Sequence, residues 1–220
     1  MNEKITHIFF DLDETLHDKR STLKKSSERL WHSFKLSQYC SLELFQLKFI
    51  YENEIIQSKE KVFNSLANEF SFNHIEIELK EMFDSTFHLD CVAFPLMNDT
   101  LENLDSKGYK LGCITNGRNF FQRNKIKSLN LDRLFSTIVT SGEFGIKKPD
   151  PLIFNHAISL AKTQPKNSIF CGDNPKADIL PAKELGFTTV FKSNSGNTCK
   201  EADYSFSTFN HFNDIITKLS

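Results

Sequence analysis

The feature that most constrains this chain is a change of texture, made twice. Lys4 to Phe10 is a short β-rich run in which Ile5, His7 and Phe9 alternate with Thr6, Ile8 and Phe10, and it stops abruptly at Asp11-Leu12-Asp13. From about Lys19 to Leu89 apolar residues recur three or four apart instead: Leu30 and Phe34, then Leu42, Phe45 and Phe49, then Val62, Leu66 and Phe70, then Ile75, Leu79 and Met82. That spacing predicts about four amphipathic helices. After Pro95 strand-like runs at Tyr109 to Ile114, Thr137 to Thr140, Ser168 to Cys171 and Thr188 to Phe191 alternate with helical ones, the pattern of βα units in a mostly parallel sheet. A helical block of roughly 70 residues thus interrupts an α/β domain just after its first strand. We expect an α/β core from residues 1–16 and 94–220, and a helical domain from 17–93.

Composition removes several function classes. Hydrophobic residues at 39% and charged residues at 25%, with 8 Gly and 6 Pro, exclude a collagen-like or largely disordered chain. Lys and Arg total 27 against 28 Asp and Glu, so the net charge of −1 supplies no global field for a nucleic acid polymer or an anionic membrane. The 22 Phe fall mostly within apolar-periodic segments and read as core filler rather than stacking platforms. Cys40, Cys91, Cys113, Cys171 and Cys199 are odd in number and contain no C-x-x-C pair, which argues against a disulfide framework or zinc site and for a reducing, cytoplasmic location. No apolar stretch reaches the ~18 residues of a membrane span, and Ile8-Phe9-Phe10 is too short for a signal-peptide core. Monomer and dimer are both compatible with the sequence.

The chemistry sits at the strand ends. In an open parallel sheet ligands bind beyond the carboxyl ends of the strands, and there this chain carries Asp11-Leu12-Asp13-Glu14-Thr15, Thr115-Asn116-Gly117 and Gly172-Asp173-Asn174, with Asp178 further on. Gly145-Ile146-Lys147-Lys148-Pro149-Asp150-Pro151 precedes a helix that begins near Leu152. Asp11 and Asp13 lean to the same side of an extended backbone. With Asp173 and Asp178 they would crowd one mouth with negative charge, which requires a cation or raised pKa values. Oxygen-only ligands with open positions suit Mg²⁺ bound together with a phosphate. Lys148 supplies a point charge, and Thr115 and Asn116 supply donors to phosphate oxygens.

Asp-x-Asp-x-Thr after the first strand, a Thr closing the next, Lys-Pro before a helix and Gly-Asp-x-x-x-x-Asp later together resemble the four-motif signature of the haloacid dehalogenase (HAD) superfamily. The resemblance implies a Rossmann-like core whose helical insertion is a C1-type cap, opening to admit substrate and closing to exclude water. It implies that Asp11 is the nucleophile that forms an aspartyl-phosphate and that Asp13 is the general acid/base. It implies Mg²⁺ on the Asp11 carboxylate, the Asp13 carbonyl and Asp173, with Asp178 in or next to the metal's ligand shell. It further implies phosphoryl binding by Leu12, Thr115, Asn116 and Lys148. Dehalogenating members lack the second Asp, so Asp13 points to phosphate chemistry. Lys148 is taken over Lys147 as the catalytic lysine because it directly precedes Pro149.

Blander readings stand beside these. Asp178 also suits a plain helix cap, and Thr115-Asn116-Gly117 a plain turn. Cys171 closes an apolar strand and reads as an inert buried thiol. His17 reads as a surface hinge residue. The expectation is a phosphomonoesterase in the phosphatase branch, acting on a small phosphorylated metabolite, with a nucleoside 5′-monophosphate first. A phosphosugar phosphomutase, which shares every motif, and a non-catalytic phosphate-binding protein are the alternatives.

Overall fold

The computed structural model describes residues 4–55, 57–72 and 74–219. In chain order, β1 (His7–Phe10) is followed by α1 (Lys19–Ser33), α2 (Leu42–Glu54), α3 (Lys59–Phe70), α4 (Glu76–Thr86) and α5 (Met97–Ser106). Then come β2 (Lys110–Thr115), α6 (Asn119–Ser128), β3 (Phe135–Thr140), a single turn α7 (Ser141–Phe144), α8 (Pro151–Ala161) and β4 (Ser168–Gly172). A π-helical turn at Pro175–Ile179 runs into α9 (Leu180–Glu184), and β5 (Thr188–Lys192), β6 (Tyr204–Phe206) and α10 (Phe209–Leu219) complete the order. The chain divides into two compact units, Met1–Asp18 with Ala93–Ser220, and Lys19–Val92.

In the first unit the described residues form one six-stranded sheet in the order β3-β2-β1-β4-β5-β6, with every pair parallel. β1 pairs with β2 on one side, His7 opposite Lys110, and with β4 on the other, His7 opposite Ser168. The strand order reverses there, so the carboxyl ends of β1 and β4 flank the crevice where such sheets bind ligands. Side chains alternate across the strand. Phe9 enters one core layer, its ring 6.2 Å from that of Phe187 and packed with Phe154 and Phe170. Phe10 enters the opposite layer, 5.8 Å from Phe212 of α10. Both faces of the sheet are therefore covered, as a parallel sheet requires. The strand is shorter than the run from Lys4 suggests, because Lys4 and Thr6 are exposed and lie ahead of it. The three-residue β6 is too short for a period-of-two pattern and is not foreseen in the sequence.

The second unit holds α1 to α4, the helices that the three-to-four spacing predicts. Ser41 and Ser58 cap α2 and α3, their side chains accepting from the N–H groups of Leu44 and Lys61 at 3.3 and 3.4 Å. The core is aromatic: the Phe49 ring lies 5.7, 6.1 and 5.8 Å from those of Phe45, Phe63 and Phe83. Arg29 of α1 donates through Nε to both Asp90 oxygens at 3.1 and 2.9 Å, a fork that ties the two ends of the unit. Phe49→Ala empties the centre of this cluster and should lower stability by about 3–5 kcal/mol. Leu47→Ala, on the exposed side of the same helix, should change it by less than about 0.5 kcal/mol. Chemical denaturation of the two variants checks the pair of expectations.

Candidate active site

Asp11 follows β1 directly, and its N–H donates to the Cys171 carbonyl at 2.8 Å, so the parallel ladder with β4 continues into the loop. Asp173 follows β4, and Asp178 returns toward it from the π-helical turn. Gly172 makes this return feasible: a Cβ there would meet the Asp178 carboxyl at 2.6 Å. One carboxylate oxygen from each of Asp11, Asp173 and Asp178 lies within 4.8 Å of the others. An all-oxygen group of that span, with Asp11 and Asp178 buried and Asp173 partly exposed, fits a hard divalent cation.

Lys148 is the counter-charge. Its Nζ lies 2.6 Å from Asp11 Oδ1 and 2.7 Å from Asp178 Oδ1, with the side chain only 2% exposed. Lys147 is exposed, so of the two lysines it is Lys148 that reaches the carboxylates. Its backbone is held at both ends by Asn116, whose Oδ1 accepts from Lys148 N at 2.9 Å and whose Nδ2 donates to Lys148 O at 3.0 Å. Asn116, expected among the phosphate donors, thus spends its side-chain oxygen and one amide hydrogen on seating Lys148. Thr115 is buried at the end of β2. Leu12 is fully buried, and its carbonyl accepts from Leu16 and His17 at 3.0 and 2.9 Å, winding the loop after β1 into a turn.

Asp13 has a separate environment. Its carboxylate lies 2.6 Å from Lys125 Nζ through both oxygens, accepts from His17 Nδ1 at 2.6 Å and from Gln122 Nε2 at 3.3 Å. Burial alone would raise this carboxyl, but Lys125 and then His17 outweigh it and hold Asp13 well below the usual carboxylate range. Burial holds His17 below the ordinary histidine value, so the neutral ring donates Nδ1–H to the carboxylate. His17 is fully buried, which corrects the reading of it as a surface hinge residue: its partner is the carboxylate four residues earlier. Gln122 and Lys125 were not singled out in the sequence. They lie one helical turn apart on α6, and the signal for them is that common face.

Asp11 and Asp173 are pushed the opposite way. Burial raises Asp11 to about 7, against the pull of Lys148 and with help from Asp178. Burial raises Asp173 to about 8, with the Asp11 and Asp178 carboxylates adding to it. For Lys148, burial is outweighed by Asp11 and Asp178, and the ammonium is held above its ordinary value. Burial likewise raises the Cys171 thiol far above its usual value, so it is no nucleophile. A site that separates its carboxylates into an ionised one and under-compensated ones is arranged for acid–base work and cation capture.

The sequence model of the haloacid dehalogenase-like hydrolases matches residues 8–192. The chain is 30% identical over 210 residues to the glyceraldehyde 3-phosphate phosphatase of Methanothermobacter thermautotrophicus, covering 90% of this chain and 89% of that one. It is 29% identical over 183 residues to the phosphoglycolate phosphatase of Aquifex aeolicus, covering 83% and 82%. Among solved structures, a HAD phosphatase from Thermococcus onnurineus superposes with a TM-score of 0.65 at 24% identity, covering 96% of this chain and 98% of that one. Among the described residues no helix is long and apolar enough to cross a membrane.

The raised carboxyls make stability depend on pH in the metal-free protein. Their folded-state values lie above the unfolded one, so the folded state binds more protons and stability falls as pH rises toward about 7 and about 8. Asp13 has the opposite shift, and its contribution is constant above the ordinary carboxyl range. His17 works the other way, adding a small rise in stability that fades within about one pH unit above its ordinary value of 6.5, too little to reverse the fall from two raised carboxyls. Melting midpoints in chelator should therefore decline from about pH 6.5 to 8, and Asp173→Asn should flatten the decline. A midpoint that rises over that interval contradicts this assignment.

Proposed function

The chain belongs to the haloacid dehalogenase-like hydrolase family as a HAD-type phosphatase, and from that premise we propose a Mg²⁺-dependent phosphomonoesterase that works through an aspartyl-phosphate on Asp11. The observation that carries this reading is the group of Asp11, Asp173 and Asp178, at the carboxyl ends of β1 and β4, with Lys148 bridging two of them. A bound Mg²⁺ supplies charge neutralisation, letting an anionic carboxylate and an anionic phosphate approach. Asp11, Asp173 and Asp178 would hold it, together with the Asp13 carbonyl.

In this reading an Asp11 oxygen attacks phosphorus and the bond to the ester oxygen breaks; Asp13, ionised in the free protein, takes up a proton from solvent as substrate binds and passes it to that oxygen. Asp13 then takes a proton from the water that attacks the aspartyl-phosphate, and inorganic phosphate leaves with Asp11 restored. Lys148 and Thr115 hold the phosphoryl oxygens as charge shifts onto them. A second carboxyl two residues after the nucleophile has a use in ester hydrolysis, where an alkoxide must be protonated.

For the substrate, we favour short phosphorylated metabolites. Two relatives that align along 83% or more of the chain are named for glyceraldehyde 3-phosphate and phosphoglycolate. The nucleoside 5′-monophosphate suggested by the strand-end motifs takes second place. A Mg²⁺-supplemented panel ranked by kcat/KM decides between them: short-chain phosphates should lead, and leading nucleotides would reverse the order.

Asp11→Asn should lower turnover of p-nitrophenyl phosphate by at least ~10³-fold, since the amide is not a nucleophile. Chelation should abolish wild-type activity and Mg²⁺ restore it, while full turnover by the Asn variant would refute the mechanism. Lys148→Met should cost about 10²–10³-fold in kcat, as for loss of one electrostatic donor, measured by initial rates at saturating substrate.

A further inference from the structure

Gln122 stands in α6 one turn before Lys125, outside every strand-end motif. It is 2% exposed, and its amide nitrogen faces the Thr115 hydroxyl at 2.6 Å, the Asn116 carbonyl at 2.9 Å and Asp13 Oδ2 at 3.3 Å. The Asn116 backbone carbonyl offers only lone pairs, so it fixes the amide with its nitrogen, not its oxygen, toward the strand end. That nitrogen has hydrogens to give and no lone pair to accept with. Thr115 must therefore accept from Gln122, and its own hydroxyl hydrogen is left for another acceptor. The approach is built into the loop as well: at Gly117, with φ +140°, a Cβ would meet Gln122 Cδ at 3.0 Å and Nε2 at 3.3 Å.

We propose that Gln122 is a positioning residue for phosphate capture, holding the Thr115 hydroxyl as a donor to a phosphoryl oxygen and tying that donor to Asp13. This rests on the assignment of Thr115 to phosphate binding made above. A phosphoryl oxygen only accepts, so a threonine whose proton was spent on a neighbour would turn a lone pair toward it. A donor amide beside Thr115 prevents that outcome, and an acceptor in the same place would enforce it.

The test measures inhibition by inorganic phosphate and kcat/KM for p-nitrophenyl phosphate, both with Mg²⁺, in the full chain carrying Thr115→Val, Gln122→Met or both. Circular dichroism checks the fold of each. Gln122→Met should weaken phosphate inhibition about fivefold to tenfold, the worth of one hydrogen bond. In the Thr115→Val background the same change should add less than about twofold, because both variants remove one interaction. Unchanged phosphate inhibition in Gln122→Met, or losses that multiply in the double variant, would overturn the proposal. Gln122→Glu keeps the shape but puts an acceptor against Thr115, and should weaken phosphate inhibition at least as much. It carries the same expectation should the Met variant fail to fold, and wild-type inhibition in it counts against the proposal. Undiminished phosphate inhibition in Thr115→Val would instead remove the Thr115 assignment, and the inference with it, while leaving the Asp11 mechanism to its own test.

Discussion

Negative charge concentrated where β1 and β4 end is the constraint on which the rest of the first unit depends. Asp11, Asp13, Asp173 and Asp178 all arrive at one edge of the sheet, and carboxylates so placed repel one another strongly in a poorly hydrated interior. The chain answers with buried lysines, each supported in its own way. Lys148 comes from a loop and is seated through its backbone by Asn116. Lys125 comes from a helix and needs no such bracket, because α6 already fixes where it points. Burial keeps Asp11 and Asp173 raised despite the first, whereas the second helps outweigh burial at Asp13. The carboxylates of one sheet edge thus fall into two electrostatic classes, and the division follows which element delivers each ammonium.

Much of this was legible in the sequence because strand ends announce themselves. An apolar run that stops at Asp-Leu-Asp, or at Gly-Asp, names both the element and the residues at its exit. The helices of Lys19–Val92 were equally plain, since their apolar spacing repeats through four segments. The companions of the site were harder to see. Gln122 and Lys125 look like the polar face of an ordinary amphipathic helix, and nothing local distinguishes a lysine that enters a site from one that faces water. His17 suffered the same ambiguity. Its burial follows from the Leu12 carbonyl drawing the loop into a turn, a backbone event that leaves no mark on composition. The bracket that Asn116 places around Lys148 was not legible either, because the two residues lie 32 positions apart and only the fold brings them together.

The strands that bracket β1 bear on how the molecule comes to be folded. β1 is the earliest of the six described strands in the sequence yet sits in the middle of the sheet, and its hydrogen-bonded neighbours begin only at Lys110 and Ser168. Every residue of Lys19–Val92 lies between it and its first partner, and closing so long a loop carries an entropic cost before any pairing offsets it. During synthesis the strand therefore leaves the ribosome with both edges bare, its two phenylalanines uncovered, and stays so until much of the chain has followed. Of the six described strands, the first to be made is thus among the last to be enclosed on both edges.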